Sequence, residues 1–147
     1  MRAVVQRVSR ARVAVAGETV GSIGAGLCVL VGVAAEDSNE DAERLAAKVA
    51  RLRIFENDAG KFDLSVLDVD GEALVVSQFT LIADSKRQRG TQPDFSKAAS
   101  REKAEPLYEA VCEALRAAGV PVQTGIFGAR MQLDLLNDGP VTIVMDA

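Results

Sequence analysis

Histidine is absent from this sequence, and cysteine occurs only twice. Without an imidazole, neither a Ser-His-Asp nor a Cys-His nucleophile pair can be assembled. A metal site with imidazole ligands is excluded as well. Cys28 and Cys112 are far apart and have no Cys or His beside them, so the spacing of a zinc site is missing. Two lone thiols in apolar surroundings read as small buried hydrophobes in a reducing compartment. No metal and no cofactor is expected. Long apolar runs are also lacking. The longest, Leu27 to Ala35, falls far short of the roughly 20 residues that cross a bilayer as a helix. The amino-terminal stretch mixes arginine with valine and has no apolar core of the signal-peptide kind. The expectation is a soluble, cytoplasmic protein with no membrane partner.

What is present is a chain of 147 residues, 48% hydrophobic and 26% charged. That predicts one globular domain over residues 1–147. A chain of this length buries roughly 68–70% of its unfolded surface and needs no disulfide to hold it. The net charge of −4 argues against a general nucleic-acid binder, and no DNA partner is expected. The charge is uneven, however. Arg2, Arg7, Arg10 and Arg12 occur with no acid among the first 12 residues, and Lys86, Arg87 and Arg89 form a second cluster. The acids gather in Glu36–Glu43 and Glu102–Glu113. A local basic face could hold a few phosphates; charge alone favours the plainer reading of solvated surface.

Periodicity predicts short β-branched strands over Ala3–Val8 and Arg12–Ala16, with a turn at Ala16-Gly17. Leu27–Ala34 reads as a central strand buried on both faces, entered from a glycine-rich turn at Gly21–Gly26. A first helix should begin at Ser38 or Asn39, with Ala42, Leu45, Ala46, Val49 and Leu52 facing inward. Asn57–Gly60 reads as a turn. Asp70-Gly71 predicts a hairpin joining Ser65–Val69 to Ala73–Phe79. Residues 83–99 are polar and irregular. A second helix is expected over Ser100–Ala118, weakened early by Pro106 and stopped by Gly119 and Pro121. Met131, Leu133 and Leu135 should bury one face of a strand, and Val141–Met145 should form the last. The sum is an α+β fold: a curved, largely antiparallel sheet or partial barrel with two main helices.

Two segments offer chemistry. At Ser77-Gln78-Phe79-Thr80-Leu81 an apolar strand ends in hydroxyls, an amide and free backbone N–H groups, which can polarise a carbonyl or hold an oxyanion. The plainer alternative is a strand becoming a loop. At Asn137-Asp138-Gly139-Pro140-Val141-Thr142 a hairpin signal is followed by a proline that removes a ladder donor. Pattern alone favours an ordinary turn, with a cis X-Pro bond as the minority alternative.

Taken together, Ser77–Leu81 and Asn137–Thr142 resemble the motifs of the D-aminoacyl-tRNA deacylase family. The likeness spans the chain, including Met1–Val8, Gly24–Leu27, Arg53–Phe55 and Thr124–Ala129. One departure lies at Gly90–Phe95, where Gln92 and Asp94 stand in place of the family's usual Arg and Ser. The resemblance implies a homodimer with a cross-subunit active site that takes the aminoacylated 3′ end of tRNA. It implies hydrolysis of the D-aminoacyl ester and of glycyl-tRNA, with L-aminoacyl-tRNA rejected by a Gly-cisPro motif at Gly139-Pro140. Thr80, Gln78 and Phe79 are the implied catalytic residues. Gly139, Pro140, Ser77, Phe127, Met131 and Arg7 are the implied substrate-binding residues, with Arg7 holding the Gly-Pro loop. The resemblance implies two routes, attack by Thr80 or assistance to water by the RNA's own 2′-hydroxyl; no side-chain base is available to activate Thr80, and the RNA-assisted route is expected. The alternatives are a non-catalytic dimeric RNA- or nucleotide-binding module and a small-molecule esterase.

Overall fold

The computed structural model describes residues 1–147. The apolar alternation at the amino terminus produces one strand rather than two: β1 runs unbroken over Arg2–Val15. The expected turn at Ala16-Gly17 follows it, both residues having positive φ. The strands β2 (Glu18–Ile23) and β3 (Gly26–Gly32) come next. Much of the glycine-rich Gly21–Gly26 stretch, expected as a turn, thus belongs to strands, and only Gly24-Ala25 turns the chain. Helix α1 (Asn39–Arg51) begins where its caps predict; the Ser38 N–H donates to the Asp41 carboxylate at 2.9 Å. A small antiparallel ribbon, β4 (Phe55–Glu56) and β5 (Phe62–Leu64), precedes β6 (Glu72–Ser77). Helix α2 (Arg101–Ala117), β7 (Val122–Thr124) and β8 (Gln132–Asp146) complete the chain. Pro106 sits inside α2 without ending it.

Strand β1 pairs antiparallel with β2, β3 and β8, whereas β6 pairs parallel with β3 and with β7. The architecture is the expected α+β fold with a curved partial barrel and two helices, but its sheet is mixed. Two expected hairpins are absent. Before β6, Ser65–Val69 is not a strand. The Asp68 carboxylate accepts the Ser65 N–H at 2.8 Å and its hydroxyl at 3.0 Å, and such local bonds compete with a ladder. At the end of the chain, β8 does not fold back at Asp138-Gly139. It stays on β1 from Gln132 to Asp146, because the long β1 offers a continuous template. The surplus residues bulge instead: four residues, 138–141, lie opposite Arg7 alone.

The curvature divides the core. Ala42, Leu45, Ala46 and Val49 of α1 and Leu107, Val111 and Leu115 of α2 pack on Val5, Val29, Val31 and Val75. Val8, Ala11, Val13, Ile23, Cys28, Leu74 and Val76 fill the inside of the curl. The curl nearly closes where β2 meets β7: a Cβ at Gly21 would come 2.5 Å from the Thr124 carbonyl oxygen. Both cysteines are buried and free. Burial pushes the Cys28 thiol up to about 12 and the Cys112 thiol up to about 11. Met131, Leu133 and Leu135, expected to be buried, are half-buried and pack against the cluster inside the curl. No helix is long and apolar enough to cross a membrane.

Candidate active site

The site begins where β6 runs out of apolar residues. The Gln78 N–H still donates to the Val31 carbonyl at 2.8 Å, and the chain then turns into a 3₁₀ helix over Phe79–Ile82. Gly32 makes this turn possible. A Cβ there would lie 2.9 Å from Leu81 Cβ and 3.0 Å from the Gln78 carbonyl oxygen, so the turn rests directly on the β3 backbone. The Leu81 N–H donates to the Gln78 carbonyl at 3.3 Å, and the Gln78 amide donates to Thr80 Oγ1 at 2.9 Å. The N–H groups of Phe79 and Thr80 stand in the first turn, where no earlier carbonyl of the same helix reaches them.

These residues form one wall of a pocket of about 460 Å³. Its lining brings together six of the expected site residues, Ser77, Gln78, Phe79, Thr80, Phe127 and Met131, with Val33, Ala99, Ala104, Gly128 and Ala129. It also includes Arg101, which the sequence reading missed. As the first residue of α2, Arg101 carries no signal that separates it from any other surface arginine of a helix.

The wall holds no carboxylate, amine, thiol or imidazole. No side chain in it can take a proton from Thr80 or from a water at neutral pH, whereas N–H groups, an amide and hydroxyls can stabilise charge. Tyr108 lies outside the pocket wall; its hydroxyl donates to the Val75 carbonyl at 2.6 Å, and burial pushes its pKa up. No cluster of three or more Cys, Asp or Glu side chains is placed to hold a metal ion.

Gly139, Pro140 and Arg7 do not line this pocket. The Gly139-Pro140 bond is cis, and both residues are exposed on the bulge of β8. Strands β1 and β3 stand between β8 and β6. The bulge is braced from beneath by Arg7, which is 7% exposed. Arg7 Nε donates to the Asp138 carbonyl at 3.0 Å and Nη1 to the Ile54 carbonyl at 2.8 Å. Its guanidinium lies 3.7 Å from the Glu56 carboxylate and 3.6 Å from that of Asp138, and 5.5 Å from the centre of the Phe62 ring. Gly139, with φ of +130°, leaves no room for a side chain: a Cβ would sit 2.8 Å from Val141 Cγ2 and 3.0 Å from Arg7 Nη2. Asn137 ties the ends of the bulge, accepting the Val141 N–H at 3.1 Å and donating to Thr142 Oγ1 at 3.1 Å.

The polar segment after the 3₁₀ turn folds onto the pocket edge. Phe95 meets Phe79 edge-on at 5.1 Å between ring centres. The Asp84 N–H donates to the Asp94 carbonyl at 2.9 Å, and Lys97 pairs with the Asp84 carboxylate at 2.8 Å. The Lys97 ammonium and the Lys86 N–H hold Asp84 below the usual carboxylate range, and the Ser96 hydroxyl and N–H do the same for Asp94. Lys86, Arg87 and Arg89 make no ion pair. The departures at Gln92 and Asp94 thus lie in a structured segment that keeps three unpaired cations.

Comparison with known proteins adds a second kind of observation. The family model described as D-Tyr-tRNA(Tyr) deacylase matches residues 4–146. The chain is 58% identical over 147 residues to a D-aminoacyl-tRNA deacylase of Chloroflexus aurantiacus, covering 100% of this chain and 91% of that one. It is 57% identical to the D-aminoacyl-tRNA deacylase of Anaeromyxobacter dehalogenans, with 100% and 97% covered. Among solved structures it is similar to the c-Myc DNA Unwinding Element Binding Protein, with a TM-score of 0.92, 45% identity and 100% and 99% covered. It shares its fold with a probable eukaryotic D-amino acid tRNA deacylase, with a TM-score of 0.85, 18% identity and 99% and 98% covered.

Proposed function

The chain belongs to the D-Tyr-tRNA(Tyr) deacylase family, and we propose that it hydrolyses the ester bond of D-aminoacyl-tRNA, releasing the free D-amino acid and tRNA. The observation that carries this reading is the pocket wall of Ser77–Thr80, which offers donors for a developing oxyanion and contains no side-chain base. An aminoacyl ester is already activated, so position and charge stabilisation suffice where an amide would need a stronger catalyst. In this reading the N–H groups of Phe79 and Thr80 receive the carbonyl oxygen as water adds to it. Gln78 and Ser77 orient the terminal ribose, and Phe127 and Met131 enclose the adenine. The neighbouring 2′-hydroxyl of the terminal adenosine assists the water and passes its proton towards the departing 3′-oxygen. Thr80 then positions the substrate rather than attacking it.

Selection between D and L comes, in the same proposal, from Gly139 and Pro140 of a second copy. Their carbonyl oxygens accept hydrogen bonds from the α-ammonium group. An L side chain is driven into the segment, a D side chain points away, and glycine has none, so glycyl-tRNA is hydrolysed as well. Sparing L-substrates by about 10⁴-fold requires roughly 5.5 kcal/mol at the transition state. A steric clash together with lost charge-assisted hydrogen bonds is of that order. Two observations support a twofold partner. Gly139-Pro140 is exposed and stands apart from the pocket lined by Ser77–Thr80. Beside it, Leu30, Val4 and Val144 stand in register on three neighbouring strands, with Val144 63% exposed; such an apolar ridge fits a second copy.

The test is incubation of the purified protein with D-Tyr-tRNA and L-Tyr-tRNA in EDTA, with the oligomeric state measured by sedimentation. Hydrolysis of the D-ester alone, by a dimer, is expected. If both esters survive, the chain is a non-catalytic RNA- or nucleotide-binding module. If zinc is needed to restore activity, the metal-free mechanism is wrong.

A further inference from the structure

The one charged side chain of the pocket wall, Arg101, has no part in the chemistry described above. Its guanidinium carbon lies 5.7 Å from the centre of the Phe127 ring. Nη1 lies close over Gly128, 3.0 Å from where a Cβ on that residue would stand. Gly128 has φ of +77°, a conformation that favours glycine. Phe127-Gly128 is thus a platform on which the guanidinium lies. Nε makes a long contact of 3.4 Å to Glu105, and neither terminal nitrogen has an acceptor within this chain. The side chain is 67% exposed, so it stands at the rim of the pocket with both terminal nitrogens available. An uncharged pocket with a guanidinium at its rim suits a nucleotide: the pocket takes the base, and the planar donors take a phosphate in a forked contact.

Resting on the deacylase reading, we infer that Arg101 is a positioning residue that binds the phosphate on the 5′ side of the terminal adenosine, and so sets the depth at which the nucleoside enters the pocket. The walls that hold the base are uncharged, and the phosphodiester is the nearest anion of a nucleotide seated there. A guanidinium with free Nη groups at the rim meets it with charge-assisted hydrogen bonds. The contact carries no sequence information and helps every tRNA alike.

The experiment compares adenosine with 5′-AMP, which carries that phosphate, by calorimetric titration of the full-length protein and of two variants. Arg101→Met keeps an apolar stem over Phe127 and removes the guanidinium; Arg101→Lys keeps the charge. The wild type should bind AMP about tenfold more tightly than adenosine, the effect of a hydrogen bond to a charged group. The methionine variant should lose that preference while still binding adenosine, and the lysine variant should recover part of it. Equal binding of the two ligands by the wild type, or a preference that survives in Arg101→Met, overturns the inference. So does an equal loss for both ligands, which would assign Arg101 to the base. In turnover, Arg101→Met should raise KM for D-Tyr-tRNA about tenfold with kcat little changed, the pattern of lost uniform binding. It should not raise KM for D-tyrosyl-adenosine, which lacks the phosphate; a fall in kcat on both substrates would overturn the assignment. If the wild type hydrolyses neither ester, the deacylase reading fails, and the AMP comparison still decides the role of Arg101.

Discussion

Two segments of this chain interrupt an apolar strand with polar or glycine-bearing sequence, and they end in opposite situations. Ser77–Ile82 turns inward and rests on Gly32, and Ser77–Thr80 line a pocket of their own chain. Asp138–Val141 bulges outward, is braced by buried Arg7 and does not line that pocket. The first is built to receive something and the second to be presented. Under the proposed function, the two segments hold one substrate from two sides, the second supplied by another copy of the chain.

The contrast can be broken from either end. The largest effect is expected from Arg7→Met, which leaves the Ile54 and Asp138 carbonyls without their donor and should cost about 3 kcal/mol in urea unfolding. Deacylation should fall with the bulge while AMP binding to the pocket persists; equal loss of both would mean that the two regions are not independent. Gly32→Ala attacks the other end. Its Cβ would meet Leu81 and Gln78, and such overpacking costs about 1–3 kcal/mol. Here AMP binding and deacylation should fall together, while amide exchange at Asp138–Val141 stays unchanged. Gly139→Ala should cost about 1–2 kcal/mol, because it places a side chain at φ +130° against Val141. It should slow D-aminoacyl and glycyl turnover without touching AMP binding, and unchanged turnover would count against the chiral role of the bulge. Thr80→Ala removes one hydroxyl and should lower kcat by less than about tenfold, the worth of one hydrogen bond. Abolition of turnover in a folded variant would make Thr80 the nucleophile.

The smallest effect concerns the segment beside the pocket. Asp84 is held below its ordinary value by Lys97 and by the Lys86 N–H. Because the folded value is the depressed one, the stabilising contribution is present above the unfolded pKa and is lost as pH falls through the folded one. The Lys86 amide resonance should therefore titrate with a midpoint below 3.8. A midpoint at or above that value would mean that Lys97 is not holding the loop.

Much of the fold is legible from local pattern. Ser38 and the spacing of Ala42, Leu45, Ala46 and Val49 locate α1, and Gly119 with Pro121 ends α2, because caps and helical periodicity act within a few residues. The turn at Ala16-Gly17 is legible for the same reason. Asp70-Gly71 and Asp138-Gly139 mislead because a hairpin signal says only that the chain can turn. Whether it pairs with its neighbour depends on which strand is free to receive it. At the site, Ser77 and Gln78 stand out where the apolar run stops, and Arg7 and Gly139-Pro140 stand out by resemblance. Arg101 does not, since its meaning comes from Phe127 and Gly128, more than twenty residues away in the chain.

By itself, then, the sequence limited the chemistry open to this protein: with no histidine, it has no imidazole base. It also determined that Gly139 is followed by proline and that β6 ends in polar residues. Only the tertiary structure decided that the proline segment is an outward bulge rather than a hairpin, because the length of β1 keeps β8 in register on both sides of it. Only the tertiary structure gathered Ser77–Thr80, Phe127, Met131 and Arg101 around one cavity, because that requires β6, α2 and the segment after β7 to converge at one end of the sheet. Local propensity acts over a few residues, and a site is made by contacts across the whole chain.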